Sequence, residues 1–336
     1  MKKLYTLSIV LIASVGFAQT YIPFTGTGAL NANGWTTHSG TAGQQTILTT
    51  PSDNGNSLSF PGLAASSGNR TSMIAGNTED VNFPLTSTLT GTVYYSALIK
   101  VLDDTQLNLN SATGDYGLAL TSVASATTTS FQARVYFKKG SVAGTFNVAV
   151  LNGPGGTAAP TYHTTDLPIN VTYLLVVKYD FTTNTASLFV NPVPGATEPT
   201  ATVTNATGTT AAPAQIAGFV IRQGGSITAG SGNIEIDEIR VADNWAAVTP
   251  SGTASTNQNS ISGLSVYPNP VKNGVFFINS DANAERTVTI FDVLGKQVLK
   301  TTTSQSAINV SGLNAGVYMV QINEEGNTAT RKLVIE

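Results

Sequence analysis

Short runs of alternating apolar and polar residues, separated by turn-forming residues, constrain this chain more than any other feature. Every second residue is apolar in Thr92 to Val101, and the same period recurs in Ser130 to Lys138 and in Tyr173 to Phe181. Such alternation places successive side chains on opposite sides of a β-strand. Clusters of Gly, Pro, Asn, Ser and Thr between the runs predict turns. Because hardly any stretch has a helical period, the sequence predicts antiparallel strands packed as two sheets, an all-β sandwich.

The charge content limits the possible partners. Only 10% of the residues are charged, and 16 Lys and Arg against 19 Asp and Glu give a net charge of −3. The sequence therefore predicts no basic patch and argues against nucleic acid as a partner. The chain has no cysteine, which excludes disulfides, thiol catalysis and Cys-ligated zinc. Its two histidines argue against a His-rich metal site.

The N-terminus has the features of a cleavable export signal. Lys2 and Lys3 precede a mostly apolar run from Leu4 to Val15, which is too short to span a bilayer comfortably. Small residues at Gly16 and Ala18 predict cleavage between Ala18 and Gln19. The sequence thus predicts an exported protein, without a transmembrane segment in the mature chain.

The C-terminal part forms a separate β pattern after a polar segment. Residues 249–263 are almost devoid of apolar side chains and predict an extended linker. Beyond it, residues 264–336 hold a Tyr-Pro-Asn-Pro box, a Phe-Asp-Val-Leu-Gly turn, a Leu-Asn-Ala-Gly-Val-Tyr segment and a basic, apolar tail. About seven strands fit there, enough for a small Ig-like sandwich.

This ordered set of motifs closely resembles the type A C-terminal sorting domain of the type IX secretion system of Bacteroidetes. The resemblance implies two partners, the Sec machinery and the type IX machinery, and a final location that is secreted or on the outer cell surface. The residues that carry the motif are Tyr267, Pro268, Asn269, Pro270, Gly295, Gly316 and Lys332.

Residues 19–248, between the two export signals, form the cargo. The segment Tyr173 to Phe181, the segment Ala186 to Pro192 and the closing Ile236 to Val241 with Trp245 resemble the concanavalin-like or laminin-G-like jelly rolls of secreted bacterial proteins, and Gly34 to Gly40 adds to the likeness. The resemblance implies a jelly-roll fold. Because this fold serves lectins, glycanases and spacers alike, it does not define a function.

One carboxylate motif invites a catalytic interpretation. Jelly-roll glycanases of the laminarinase type carry Glu-x-Asp-x-Glu on one strand, where alternation brings three carboxylates to one face. Here Glu235 and Asp237 share a face, but Glu238 comes one residue early and points away. No Gly-x-Ser-x-Gly elbow and no phosphate-binding glycine motif is present. We therefore expect no catalytic residues, with a glycanase or lyase as the alternative.

Asp237 has a second possible role. The apolar residues of this strand change face around it, so both faces must be covered or a bulge must intervene. An enclosed Asp needs hydrogen bonds or a cation. Proteins of the resembled fold often hold a structural Ca²⁺ through an Asp on the final strand, which implies Ca²⁺ as the one candidate cofactor. A carboxylate bonded to backbone amides or to an Arg is the alternative.

Exposed aromatic residues are the candidates for sugar binding. Sugar-binding modules stack sugars on such rings. The candidates here are Trp35, Tyr94, Tyr116 and Tyr136, and Tyr162 and Trp245 are further candidates. Tyr94 and Tyr136 lie off the predicted core faces of their strands. The sequence thus predicts a non-enzymatic surface or secreted protein that binds extracellular polysaccharide or acts in adhesion. A structural spacer protein is a further alternative.

Overall fold

The computed structural model describes residues 19–107, 115–224, 231–252, 261–325 and 327–336. The chain divides into two compact units, Met1–Thr253 and Ala254–Glu336. The predicted export signal up to Ala18 lies outside the described residues, as does the middle of the predicted linker. No helix among the described residues is long and apolar enough to cross a bilayer.

The first unit is built almost entirely of strands. Among its described residues, the helical parts are a 3-10 turn at Leu30–Ala32 and a short helix α1 at Trp245–Val248. The strands are β1 (Gln19–Ile22), β2 (Gly28–Ala29), β3 (Thr36–Ser39), β4 (Thr46–Leu48), β5 (Arg70–Met73), β6 (Asp80–Leu89), β7 (Thr92–Asp103), β8 (Asp115–Thr121), β9 (Phe131–Lys139), β10 (Thr145–Leu151), β11 (Thr161–Tyr162), β12 (Leu167–Pro168), β13 (Thr172–Asp180), β14 (Thr185–Val190), β15 (Val203–Asn205), β16 (Ile216–Arg222) and β17 (Asn233–Ala242).

These strands form two antiparallel sheets. The first sheet has the order β15-β14-β13-β7-β17-β5-β4-β2, and β1 also pairs with β17. The second sheet has the order β11-β10-β9-β8-β16-β6-β3, and β12 also pairs with β10. Several neighbouring strands, such as β7 and β17 or β8 and β16, are distant in sequence, as in sandwiches with crossing connections. This confirms the predicted all-β fold class.

The core of the first unit lies between the inner faces of its sheets. The alternate residues predicted to face inward on β7, Val93, Tyr95, Ala97, Ile99 and Val101, are all fully buried there. Inner residues of β9 and β10, such as Val135, Phe137 and Phe146, meet them from the second sheet. Packing of β-branched and aromatic side chains from both sheets accounts for the stability of the sandwich.

A β-bulge in β17 explains the change of face around Asp237. The register against β7 pairs Asp237 with Leu98 and Arg240 with Ser96, so β17 contains one extra residue at this point. Glu238 adopts a left-handed conformation with φ 52° within the bulge. Ile236 and Ile239 can therefore both face the core. The bulge that the sequence suggested is present.

The first residues of the predicted linker are packed against the first unit. Thr249 is fully buried, and Ser251 forms an isolated bridge with Leu63. The backbone carbonyl of Pro250 accepts a hydrogen bond from the amide of Ala64. At the other end, Ile261 is buried in the core of the second unit. Both described ends of the predicted linker are therefore packed within a folded unit.

The second unit is a small sandwich of two sheets. Its strands are β18 (Ser265–Tyr267), β19 (Val275–Asn279), β20 (Arg286–Phe291), β21 (Gln297–Thr303), β22 (Ala307–Asn309), β23 (Gly316–Glu324) and β24 (Asn327–Ile335). One sheet has the order β18-β19-β22 and the other the order β21-β20-β23-β24. The buried core between them is aliphatic apart from Phe276. An ion pair of 3.2 Å joins Arg286 to Glu324 inside this unit.

The predicted sorting residues have structural roles within the second unit. The side chain of Asn269 bonds to two backbone groups of β24, because its amide donates to the carbonyl of Lys332 and its oxygen accepts from the amide of Val334. Tyr267 stacks on Phe277 at 5.8 Å between ring centroids. Gly295 has φ 82° at the turn before β21, a conformation that favours glycine. Gly316 begins β23, and Lys332 is exposed on β24. The Tyr-Pro-Asn-Pro box thus ties the first strand of this unit to its last.

Candidate binding face

The outer face of the first sheet is sealed by a layer of loops and helix α1. Apolar residues from these segments, among them Leu58, Leu63 and Trp245, cluster on outward residues of β7 and β13. The Trp245 ring packs edge-on to Phe189 at 4.8 Å, and its Nε1 donates to the carbonyl of Ala196 at 3.0 Å. This covering layer leaves Tyr94 and Trp245 each 7% exposed.

Two of the predicted sugar-binding aromatics are therefore structural. Tyr94 points away from the main core, as predicted, but the covering layer leaves it only 7% exposed, and its hydroxyl donates to Glu198. Trp35 is 4% exposed and lies in the main core, stacked on Phe24 at 5.9 Å. Both predictions are corrected, because each ring is enclosed by neighbours distant in sequence.

The Glu235 to Glu238 motif lies beneath the same covering layer. Glu235 forms a 2.8 Å ion pair with Arg70. Glu238 pairs with Arg240 at 2.5 Å and accepts a hydrogen bond from the hydroxyl of Tyr21. All three carboxylates of the motif are less than a tenth exposed. They have fixed partners and no open cleft, so this motif supplies no catalytic carboxylate pair.

Asp237 is held by backbone amides. One of its oxygens accepts from the amide of Leu58 at 2.8 Å and the other from the amide of Glu238 at 2.7 Å. Burial, together with the charge of Glu238, raises the pKa of Asp237 to about 8. A metal ligand must be deprotonated and have a free lone pair.

The described residues hold no group of three or more His, Asp and Glu that could bind a metal. Both oxygens of Asp237 already accept from backbone amides, and calcium binding by Asp237 stays a prediction. These hydrogen bonds match the alternative weighed from the sequence, a buried carboxyl bonded to backbone amides.

The outer face of the second sheet carries a row of three tyrosines. Tyr116 on β8 is paired in register with Tyr136 on β9. Tyr136 lies opposite Ala149 on β10, which lies opposite Tyr162 on β11. The rings of Tyr116 and Tyr136 are 5.7 Å apart between centroids. Tyr136 is itself 6% exposed, whereas Tyr116 and Tyr162 are half-buried. Tyr116 and Tyr136 are thereby brought together, but Tyr136 is as enclosed as Tyr94, so the prediction of an exposed ring is corrected for Tyr136 as well.

Three cationic side chains lie over these rings. The guanidinium carbons of Arg134 and Arg222 are 5.0 and 4.7 Å from the centroid of the Tyr116 ring. The ammonium of Lys138 is 3.9 Å from the centroid of the Tyr162 ring. These distances are those of cation–π contacts. The surface made by Tyr116, Tyr136, Tyr162, Arg134, Lys138 and Arg222 is called the tyrosine face below. It places three cations together, of which Arg222 is paired with Asp80 and Asp115.

Two carboxylates near the tyrosine face lie close to the same cation, Arg222. Its guanidinium lies 3.4 Å from Asp115 and 4.0 Å from Asp80. Burial raises the pKa of Asp80.

His38 stacks on Phe131 at 5.5 Å and accepts a hydrogen bond from Asn82 at Nδ1. Burial and the nearby charge of Arg222 lower the pKa of His38 to about 4, so His38 is neutral at neutral pH.

The tyrosine face continues into a hollow at the tip of the β9–β10 hairpin. The hollow has a volume of about 800 Å³ and shares Lys138 with the face. Its other lining residues are mainly polar and include Lys139, Ser141, Thr145 and Asp166. The carboxylate of Asp166 accepts bonds from Ser141 and Asn147 within the protein. A ligand here would meet two lysines and several hydroxyls.

Sequence reasoning missed the cations of this face. Arg134 and Lys138 lie on the polar side of β9, two residues before and after Tyr136, and this alternation was visible in the sequence. The contribution of Arg222 was not visible, since it lies on β16, more than a hundred residues from Tyr116. Only the β8–β16 pairing brings these two residues together.

Comparison with known families identifies the second unit. Residues 265–336 match the secretion system C-terminal sorting domain. This confirms the sorting domain recognised in the sequence and marks the chain as exported, to the medium or the cell surface. No curated protein matches the chain.

Solved structures give distant likenesses. The CBM2 module of the evolved Dit of Lactobacillus casei BL23 phage J-1 is 13% identical, with a TM-score of 0.37, covering 69% of this chain and 99% of its own. The carbohydrate binding module CBM66 from Bacillus subtilis is 13% identical, with a TM-score of 0.29, covering 63% of this chain and 92% of its own. A Trypanosoma rangeli sialidase is 13% identical, with a TM-score of 0.30, covering 57% of this chain but 31% of the sialidase.

Proposed function

We propose that this protein is a non-enzymatic polysaccharide-binding protein, exported by the type IX secretion system, whose first unit binds glycan on the tyrosine face. The observation that carries the proposal is the in-register row of Tyr116, Tyr136 and Tyr162 on a sheet face that the covering layer does not reach. Tyrosines combine an apolar ring with a polar hydroxyl, which suits them to sugars.

The dimensions of the row favour an extended ligand. Adjacent strands are about 4.8 Å apart, so the three strand intervals from β8 to β11 span about 14 Å. A face of this length suits an oligosaccharide or polysaccharide chain better than a single sugar. The hollow beyond Lys138 lengthens the available surface further.

The carboxylates favour binding over catalysis. Glycosidases need one carboxyl acid and one carboxylate placed on either side of the scissile bond. Near the tyrosine face, Asp80 and Asp115 both approach the guanidinium of Arg222. Each carboxylate of the β17 motif is enclosed beneath the covering layer. A plain spacer would not need aromatic and cationic side chains aligned on one sheet face.

Export follows the two terminal signals. The sorting domain at residues 265–336 indicates passage through the secretion machinery. Removal of residues 1–18 by signal peptidase stays a prediction. Together they would place the tyrosine face outside the cell, where polysaccharides are the abundant polymers.

The test compares the full chain with a variant that lacks two rings of the row. Tyr116→Ala combined with Tyr162→Ala should weaken binding to any polysaccharide that the native chain binds by at least about tenfold, because both outer contact surfaces are lost. Isothermal titration against a panel of neutral and acidic polysaccharides measures the change. Tyr267→Ala, which removes a ring that is 45% exposed in the second unit, is the matched control.

The controls decide between the candidate functions. Circular dichroism verifies that each variant is folded. If the folded native chain binds no polysaccharide, the binding proposal fails and the spacer role gains. If glycan bonds are cleaved during the titration, the enzymatic alternative replaces it.

A further inference from the structure

We infer that the ligand of the tyrosine face is an anionic polysaccharide, one carrying carboxylate or sulfate groups, which Arg134 and Lys138 bind from above the tyrosine rings. The inference rests on the proposed function and narrows its ligand to one chemical class. Three observations support it: the rings that the cations contact, the hydrogen-bond donors that they keep free and the carboxylates that lie near them.

Cations occupy positions over the rings where a neutral sugar would stack. Two guanidinium groups lie within 5.0 Å of the Tyr116 ring centroid, and an ammonium lies 3.9 Å from that of Tyr162. The middle ring, Tyr136, is only 6% exposed. The rings therefore act chiefly as supports that hold positive charge in place. The surface offered to a ligand is cationic.

Two of the three cations keep free hydrogen-bond donors. The Nε of Arg134 donates to the carbonyl of Phe131 at 2.9 Å, which fixes the guanidinium, while its two terminal nitrogens make no hydrogen bond to the described residues. Neither Arg134 nor Lys138 forms a salt bridge with any carboxylate in the described ranges. A planar guanidinium with both terminal nitrogens free suits bidentate binding of a carboxylate or sulfate.

The nearby acids offset only part of this charge, although the charge of Lys138 acts on Asp166 beside the hydrogen bonds from Ser141 and Asn147. Asp80 and Asp115 both face Arg222, so they leave Arg134 and Lys138 as the cations available to a ligand. Asp166, in the adjoining hollow, is bonded to Ser141 and Asn147. Beyond Lys138, the hollow adds Lys139, which lies 3.7 Å from Asp104. Positive side chains thus continue along the surface from Arg134 to the hairpin tip.

The arrangement favours an anionic glycan over a nucleic acid. Single-stranded nucleic acids bind by stacking their bases on open aromatic rings beside a basic groove. Here the rings lie beneath the cations, so they are not open to stacking by bases. A saccharide with separate acidic groups needs only the local cations.

The test uses two polysaccharides with one backbone and different charge. Polygalacturonate and its methyl-esterified form are titrated into the full chain at low ionic strength, together with alginate, chondroitin, chondroitin sulfate and neutral laminarin. We expect at least about tenfold tighter binding to one or more acidic polymers than to the esterified and neutral ones. We also expect the affinity to fall as salt is added. The uronate and sulfate members of the panel show which anion is preferred.

A charge-matched pair of variants assigns the effect to the face. Arg134→Gln combined with Lys138→Gln should weaken acidic-polymer binding about thirtyfold, because two charge-assisted contacts are removed. Lys296→Gln combined with Lys300→Gln removes the same charge from exposed positions of the second unit and should leave the affinity within about twofold. Both variants keep the native core, and melting curves check that they are folded.

The outcomes separate this inference from the proposed function. Equal binding of polygalacturonate and its methyl ester, or an unchanged affinity in the Arg134→Gln, Lys138→Gln variant, would overturn the anionic ligand while leaving tyrosine-dependent glycan binding intact. Binding to no polysaccharide of either kind would overturn both. Tighter binding of single-stranded DNA than of every glycan would show that the face binds nucleic acid instead of a polysaccharide.

Discussion

The two sheets of the first unit share a core on their inner faces but differ on their outer faces. On the first sheet, outward residues such as Leu98, Leu174 and Val176 are apolar and are covered by Leu58 and the other residues of the covering layer. On the second sheet, the tyrosine row packs with Ala149 and Leu151 in a small cluster, and the outward residues around it include arginine, lysine and asparagine. A sheet with two apolar faces needs a third layer, whereas a sheet with one polar face does not.

This difference shows where stability and where function reside. Enclosed ion pairs and carboxyl groups beneath the covering layer have fixed protein partners, as Asp237 and Glu238 do. Aromatic and charged groups on the second sheet keep part of their surface and some of their donors free. Residues of similar chemistry, such as Tyr94 and Tyr116, therefore have different roles on the two faces.

The largest expected effect comes from opening the covering layer. Trp245→Ala should reduce the free energy of unfolding of the first unit by about 3–5 kcal/mol, because it removes a large packed side chain and leaves a cavity. Tyr162→Ala, on the tyrosine face, should cost less than about 1.5 kcal/mol. Urea unfolding followed by tryptophan fluorescence measures both, since both tryptophans lie in the first unit and Trp35 remains in either variant. Equal losses for the two substitutions would contradict the contrast between the faces.

The second prediction concerns the carboxyl beneath the covering layer. Asp237→Ala should reduce stability by about 2–4 kcal/mol, because the buried amides of Leu58 and Glu238 lose their acceptor. Asp243→Ala, an exposed neighbour, should cost less than about 0.5 kcal/mol.

The calcium hypothesis is tested on the native chain. Removing divalent cations with EDTA should leave the melting temperature within about 1 °C of its value in calcium, as expected when no ligand site contributes. A drop with EDTA comparable to the loss in Asp237→Ala would show that Asp237 binds a cation after all.

The smallest expected effect is a dependence of the free energy of unfolding on pH, caused by His38 on the second sheet. The pKa of His38 is lowered to about 4 in the folded chain, so the unfolded chain binds a proton below pH 6.5 that the folded chain does not. Stability should therefore fall as pH decreases from 6.5 towards 5, by less than about 1 kcal/mol because the ring is partly exposed to solvent.

Two histidine variants isolate this contribution. His38→Gln should flatten the decline between pH 6.5 and 5, and His163→Gln, which changes the other histidine of the chain, should retain it. Unfolding midpoints in urea at several pH values provide the measurement. An unchanged slope in His38→Gln would show that other groups cause the decline.

Much of the fold was predictable because alternation is a local property. The predicted strand Ile216 to Arg222 coincides with β16, and the strands predicted around Thr92 and Tyr173 lie within one or two residues of β7 and β13. The strand β8 was not predicted, although Leu118 and Leu120 alternate within it. Its short run includes Gly117, which weakens the strand signal.

The candidate site was only half predictable for a related reason. The sequence shows that Tyr94 and Tyr136 point away from the core, and this was right for both. It does not show which outward faces are covered afterwards, and that depends on loops far away in the chain. The covering layer encloses Tyr94, whereas the pairing of β10 with β11 places Tyr162 in the tyrosine row.

The sequence by itself determined the all-β class, the inward faces of the main strands and the sorting domain at the C-terminus. These depend on spacing within a few residues or on a motif whose order is fixed along the chain. The tertiary structure alone decided which strands became neighbours, where the bulge in β17 lies and which outer face stayed open. Those features arise from pairing and packing between segments up to two hundred residues apart, as between Leu58 and Asp237. The tyrosine face, with Arg222 brought beside Tyr116, is a product of that long-range pairing.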